Sequence, residues 1–150
     1  MTLKINFNFK LSLKPIINFH CKFYDKILTN SLIFGGVFLI IKYANKRIEK
    51  YFSDYSEMKK KIPAEWVRNI KKHIDRMKAA ETFGDFLSLG LGHPEPLKGQ
   101  EAGKYSIHVT GNVRLIVKPY DNGKAVMICE EIIMEGVVDY HGGKQTWYIS

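Results

Sequence analysis

The sequence predicts one α+β domain, in which a two-helix hairpin packs on a small, mainly antiparallel sheet, with the element order β-α-α-β-β-β(-β). Two patterns predict this class. Apolar residues recur at helical spacing between residues 45 and 77, and beyond residue 105 they alternate with polar residues. Helices and strands grouped in this way form two layers that bury their apolar sides against each other. A chain of 150 residues is long enough for one such core.

The N-terminal half of this domain predicts a strand and two helices. Residues 39–43 form a short apolar run that predicts the first strand. Asn45 is a typical helix N-cap, and the apolar residues after it predict a first helix over about 45–60. Pro63 is placed as a first-turn proline of a second helix. The apolar stripe of that helix consists of Trp66, Val67, Ile70, Ile74 and Met77. The tight connection between the two helices predicts an antiparallel hairpin.

The C-terminal half predicts loops and strands. Residues 81–103 are rich in glycine and proline and are predicted as a loop, with one helical turn at about 83–89. Residues 105–109 and 113–117 predict a β-hairpin with a turn at Thr110-Gly111-Asn112. After a second turn at Asp121-Asn122-Gly123, residues 125–138 predict one long strand or two short ones. The predicted core residues of this last segment are Met127, Cys129, Ile132, Ile133, Val137 and Val138.

The charge and the cysteines restrict the class of protein. A formal charge of +8 and a pI near 9.4 favour an anionic partner such as nucleic acid, the ribosome, a membrane surface or an acidic protein. The two cysteines, Cys21 and Cys129, form neither a disulfide framework nor a zinc motif. We therefore expect a protein of the reducing cytoplasm.

Residues 1–38 differ from the rest of the chain. They hold five lysines and one aspartate, which is half of the excess positive charge. The uncharged run 27–41 is shorter than the roughly 20 residues that span a bilayer, so no stable membrane association is expected. We interpret residues 1–38 as an upstream AT-rich stretch translated in frame, in which Gly35-Gly36 fits a ribosome-binding sequence and Leu39 a TTG start. The alternative is a disordered or apolar segment of the protein. The expected domain is then 39–150.

Polar side chains of four segments are the candidates for chemistry. They are His93 and Lys98 in the loop, Tyr105 with His108 and Asn112 with Arg114 across the hairpin, and Tyr140-His141 after the last strand. The sequence has no glycine-rich phosphate loop, no Cys/His metal spacing and no nucleophile elbow. Cations, histidines and a tyrosine suit chemistry on an anion without a metal, so we expect neither metal nor cofactor.

Three segments resemble a known family of toxins. They are His93-Pro94-Glu95-Pro96-Leu97-Lys98-Gly99, the run from Tyr105 to Ile116, and Val137-Val138-Asp139-Tyr140-His141. In this order they resemble the plasmid-maintenance killer proteins of the HigB type, in the RelE/ParE toxin superfamily, whose pattern runs roughly H-P-L-K-G, Y-S-I-x-x-S-G-N-[WY]-R and D-Y-H. The resemblance covers residues 39–150. The additional Pro94-Glu95-Pro96, Val113 in place of an aromatic residue, and the tail after His141 depart from the pattern.

The resemblance implies an endoribonuclease that cleaves mRNA on the translating ribosome and is neutralised by a helix-turn-helix antitoxin of the HigA type. The RNA 2′-OH attacks the adjacent phosphate, so the site must accept a proton, stabilise negative charge and protonate the leaving 5′-oxygen. We assign Lys98 and Arg114 to the phosphate and its transition-state charge. His141 is the acid/base candidate because imidazole titrates near neutral pH, and Tyr140 shares the proton transfer.

The expected RNA contacts lie in two regions. His93 and Asn112 would position the nucleotide, and Arg68, Lys71 and Lys72 on the second helix would contact ribosomal RNA. Two other functions remain open: a non-enzymatic toxin of the ParE branch that inhibits DNA gyrase by binding, and a membrane-tethered or simply basic binding protein. His141 and Lys98 argue against the gyrase inhibitor, because that branch needs no acid/base pair.

Overall fold

The computed structural model describes residues 38–120 and 123–150, so the predictions for residues 1–37, and for Asp121 and Asn122 of the second turn, lie outside the described residues. The predicted α+β class is confirmed. The helices are α1 (Lys46–Ser53), α2 (Tyr55–Lys59), α3 (Ala64–Ala79) and α4 (Phe83–Ser88). The strands are β1 (Ile40–Tyr43), β2 (Glu95–Pro96), β3 (Tyr105–Thr110), β4 (Val113–Pro119), β5 (Glu131–His141) and β6 (Lys144–Ile149). In these residues no helix is both long and apolar enough to cross a membrane.

The strands form one mixed sheet in the order β1-β5-β4-β3-β2. Strand β1 is parallel to β5, and every other pair is antiparallel. Strand β4 pairs with β5 along one edge, from Ile132 to Asp139. The opposite edge of β5 is shared, because β1 pairs with its residues 131–134 and β6 with its residues 137–141. The tail after His141 therefore completes the sheet.

The prediction of a single first helix over 45–60 was wrong. Asn45 caps α1 as expected, since its side chain accepts a hydrogen bond from the Ile48 amide (2.9 Å). The chain leaves the helix at Asp54, whose backbone is extended. The Asp54 carboxylate accepts a hydrogen bond from the Ser56 amide (2.8 Å) and caps α2. An aspartate that bonds to the backbone two residues on thus divides the predicted helix in two.

The hydrophobic core lies between the helices and one face of the sheet. The predicted stripe of α3 is buried there, except that Trp66 is only partly buried. Met127 was wrongly predicted as a core residue, since 55% of its surface is exposed. The cause is that residues 126–128 form a 3-10 turn and β5 begins only at Glu131. The other core candidates of this segment are buried, with Ile133 half-buried.

The second face of the sheet, which we call the open face, points away from the core. Leu115 and Val137 are cross-strand partners in the core, so their neighbours along the strands, Arg114 and Val138, share the opposite face. In β3, His108 lies opposite Arg114 on that face. The open face also carries Ser106, Ile116 and Tyr140.

Candidate active site

Arg114 occupies the middle of the open face on β4 and is half-buried. Its Nη1 donates hydrogen bonds to the carbonyl oxygens of Gly111 (2.7 Å) and Val113 (3.1 Å). The side chain is therefore fixed beside the β3–β4 turn. In the described part of the chain no hydrogen bond occupies Nε or Nη2 of this guanidinium. These donors are available for an oxyanion such as a phosphate, which the planar group binds through two parallel bonds.

Two histidines extend the site on the β3 side. The rings of His93 and His108 meet edge to face, with centroids 5.8 Å apart. Gly92 fixes this arrangement, because its carbonyl accepts a hydrogen bond from the His108 amide (2.7 Å). A Cβ at Gly92 would lie 2.5 Å from Cε1 of His73, so only glycine fits there. His93 follows with φ of 43°, a left-handed conformation that non-glycine residues rarely adopt.

The protonation of His108 and Tyr140 follows from their surroundings. Desolvation, followed by the positive charge of Arg114, lowers the pKa of His108 below 6.5, so its ring is neutral at pH 7. Desolvation, followed by the negative charge of Glu101, raises the pKa of Tyr140 above 10. The Tyr140 hydroxyl is therefore a proton donor at neutral pH. Glu101 is itself tied to Lys104, which forms ion pairs of 2.7 Å with both Glu101 and Glu135.

Asn112 and His141 meet where β4 and β5 end. The Asn112 side-chain Nδ2 lies 3.0 Å from Nδ1 of His141, and the Tyr140 amide donates to the Asn112 carbonyl oxygen (3.1 Å). With the amide donating to Nδ1, a neutral His141 carries its proton on Nε2. His141 is exposed, so β6 does not cover it.

Lys98 lies in the loop between β2 and β3. It is exposed and precedes a 3-10 turn, and within the described ranges its side chain makes no hydrogen bond or ion pair. The additional Glu95-Pro96 forms β2, which pairs with β3. The Leu97 amide bonds to the Lys104 carbonyl, so the chain at Lys98 runs beside the start of β3.

The predicted RNA contacts on α3 lie on the other side of the sheet. Arg68 and Lys72 are exposed, four residues apart, on the helix side opposite the buried stripe. Lys71 is paired with Asp75 on the same helix (2.6 Å). The helix layer and the sheet separate these cations from Arg114.

The structure places His93, His108, Arg114 and Tyr140 on the open face, and Asn112 and His141 meet beside it, where β4 and β5 end. The sequence places His108 in a polar cluster without indicating a role for it. Its position beside Arg114 was nevertheless predictable, since a hairpin with its turn at 110–112 places residue 108 opposite residue 114. Among the described residues no three His, Cys, Asp or Glu side chains are grouped as metal ligands.

A protein-family model described as "RelE-like toxin of type II toxin-antitoxin system HigB" matches residues 41–141. No curated protein matches the sequence. The chain is similar to the structure of the YoeB–YefM complex from Staphylococcus aureus, with 20% identity, 69% of this chain and 97% of that chain covered, and a TM-score of 0.44. It is also similar to a YoeB/ParE toxin from Agrobacterium tumefaciens, with 25% identity, 63% and 93% covered, and a TM-score of 0.40.

Proposed function

We propose that this chain, which belongs to the HigB-like family of RelE-like toxins of type II toxin–antitoxin systems, is an endoribonuclease that cuts mRNA on the translating ribosome. The observation that carries the proposal is the placement of the Arg114 guanidinium and Tyr140 on the open face, with Asn112 and His141 at the adjoining strand ends. Such a group serves a reaction in which a phosphate gains charge while protons move on and off oxygen atoms.

The proposed reaction is an intramolecular transfer at phosphorus. The RNA 2′-oxygen forms a bond to the adjacent phosphorus, and the bond from phosphorus to the 5′-oxygen breaks. The 2′-OH proton goes to a base, and an acid gives a proton to the leaving 5′-oxygen, so the products are a 2′,3′-cyclic phosphate and a 5′-hydroxyl. The requirement for a 2′-OH restricts the reaction to RNA.

The described geometry supports a role for each member of the group. Arg114 binds the phosphate through its unoccupied Nε and Nη2 donors. His141 and Tyr140 are the proton-transfer residues, since His141 is exposed and the Tyr140 hydroxyl is protonated at neutral pH. His93 and Asn112 position the nucleotide. We assign Lys98 to the same phosphate as a second cation, since its side chain is exposed and makes no hydrogen bond or ion pair in the described part of the chain.

The ribosome, the antitoxin and the compartment are also proposals. Arg68, Lys71 and Lys72 are exposed on α3 and would contact ribosomal RNA while mRNA occupies the open face. A helix-turn-helix antitoxin of the HigA type would neutralise the toxin, and both would act in the cytoplasm. A second positively charged surface, which would bind ribosomal RNA, is consistent with the net charge of +8.

The test is to map mRNA 5′ ends in a translating lysate that contains the full chain, Arg114→Ala or His141→Ala. We expect Arg114→Ala to reduce cleavage about 10²–10³-fold, the range for removing one group that stabilises transition-state charge. We expect His141→Ala to reduce it about 10²–10⁴-fold, the range for removing a general acid or base. Lys118→Ala is the matched control, because Lys118 is an exposed cation on the same strand and the same face. Cleavage that persists in both variants would refute the site, and DNA damage without mRNA cleavage would indicate a gyrase inhibitor.

A further inference from the structure

We propose that Trp147 of β6 is a base-stacking residue of the RNA site, which holds a nucleobase of single-stranded RNA while Arg114 holds the adjacent phosphate. The proposal rests on the ribonuclease function proposed above. It assigns part of substrate recognition to a strand that begins after residue 141, where the match to the family model ends.

The β5–β6 hairpin places Trp147 on the open face. Gly142 and Gly143 both have positive φ (59° and 75°), as a two-residue hairpin turn requires. Beyond the turn, Trp147 pairs with Val138, which in turn pairs with Arg114. The three residues form one row across three strands, and directly opposed side chains share a face.

The distance along this row suits one nucleotide. Arg114 and Trp147 are two strand spacings apart, about 10 Å between their backbones. The Arg114 side chain is bent toward Gly111, and Val138 between the two strands is small and fully buried. The row thus places a phosphate ligand and an aromatic ring on either side of a buried valine. Single-stranded RNA is recognised by this combination, with backbone charge on a cation and an unpaired base on an aromatic ring.

The Trp147 ring is held in place but remains accessible. Its Cζ3 lies 3.3 Å from the position that a Cβ on Gly136 would take, so it rests closely on the glycine of β5. Its exposed fraction is 36%. In the described part of the chain no other aromatic ring packs against Trp147. An indole that rests on the sheet and keeps an accessible surface can stack on a base.

The neighbouring residue, Tyr148, is an aromatic residue of β6 with a structural role. It has the same exposed fraction of 36%, but its ring packs edge to face on Trp66 of α3, with centroids 5.4 Å apart. The side chains of Trp147 and Tyr148 therefore lie on opposite faces of the sheet. Tyr148 joins β6 to the helices, and Trp147 is left for a ligand.

The experiment measures RNA binding and cleavage separately in the full chain. Binding is measured with a fluorescent single-stranded 2′-O-methyl RNA oligonucleotide, which lacks the attacking hydroxyl and is not cut. We expect Trp147→Leu to weaken binding about 5- to 150-fold, the equivalent of one stacked base, and to reduce mRNA cleavage similarly. Trp147→Phe, which retains a ring, should recover most of the binding. Indole fluorescence in a Trp66→Phe background should be quenched by the oligonucleotide.

Tyr148→Leu is the matched control, because it removes an equally exposed aromatic ring from the other face. It should bind the oligonucleotide as tightly as the unaltered chain, even where it lowers the melting temperature. Unchanged binding by Trp147→Leu, or equal losses in both leucine variants, would overturn the inference. If the unaltered chain fails to cleave mRNA while binding still depends on Trp147, the ribonuclease proposal fails and the stacking role stands.

Discussion

The face on which Arg114 lies follows from the alternation of side chains along β4, but its role does not. Val113 and Leu115 on either side of it are buried in the core, so its side chain has to leave on the opposite face. Whether the open face can form a reactive site depends on which side chains the neighbouring strands place there. His108 and Tyr140 come from β3 and β5, and only the pairing of these strands brings them near Arg114.

His73 connects the helix layer to the site and leads to a prediction about pH. It is 6% exposed, and its Nε2 lies 3.0 Å from the His108 carbonyl oxygen. Since a carbonyl only accepts, Nε2 carries the proton, and the buried Nδ1 has no partner among the described residues. Burial, followed by the charge of Arg76, lowers the pKa of His73 below 6.5.

We expect the free energy of unfolding to fall as the pH drops below about 6.5 toward the lowered pKa of His73. In that range the unfolded chain binds the proton more readily than the folded chain, so acid favours unfolding. His73→Gln retains a donor near the His108 carbonyl but does not titrate, so its stability should fall less steeply. Urea unfolding at pH 7.5, 6.5 and 5.5 measures the difference. Equal pH dependence in both proteins would contradict this role for His73.

At the scale of elements, β5 determines the geometry of the sheet. The pairing of β4 with β5 shifts between Ile116 and Val117, which leaves Glu135 as an additional residue beside Gly136. The bulge lies between the part of β5 that pairs with β1 and the part that pairs with β6. Gly136 has φ of 138°, and a Cβ there would overlap the Ile149 carbonyl oxygen of β6.

Gly136→Ala should therefore displace β6 and lower the free energy of unfolding. Gly103→Ala is the matched control, because Gly103 also has positive φ (88°) but has open space around its Cβ position. Both variants bear backbone strain, and we expect Gly136→Ala to lose about 1–3 kcal/mol more, from steric overlap. Urea unfolding at pH 7.5 gives both values. Equal losses of unfolding free energy in the two variants would show that the contact with β6 does not restrict position 136 to glycine.

At the scale of the whole molecule, Leu39 is the first core residue in the part of the chain that the structure describes. Leu39 is buried, and its amide donates to the Ala80 carbonyl at the end of α3 (2.9 Å). We propose that residues 39–150 are the folded toxin domain. A chain that begins with Met in place of Leu39 should unfold cooperatively, with a free energy of unfolding within about 1.5 kcal/mol of the full chain, since Leu and Met have similar volumes.

Chemical denaturation of both chains tests this boundary. A broad unfolding transition in the shorter chain, or a loss of unfolding free energy well above about 1.5 kcal/mol, would show that residues 1–38 contribute to the fold. The codon at position 39 is an independent check on the interpretation of residues 1–38. Any Leu39 codon other than TTG or CTG would exclude a start there.

Several parts of the fold were predictable because their signals are local. The Asn45 cap, the stripe of α3 and the β3–β4 hairpin each depend on residues close together in sequence. Strand β6 was missed, although Gly142-Gly143 is a strong hairpin signal. The break at Asp54 was missed because the apolar spacing continues through it, while the cap is made by one carboxylate.

The sequence by itself determined the α+β class, the family and the side chains available for phosphate chemistry, because periodicity and short motifs are properties of neighbouring residues. Only the tertiary structure decided which of those side chains meet. Lys98 and His93 are five positions apart in one motif, yet β2 extends between them. His108, Arg114, Tyr140 and Trp147 come from four strands, and their common face is set by strand register. Register depends on burial and on bulges across the whole sheet, which no local pattern specifies.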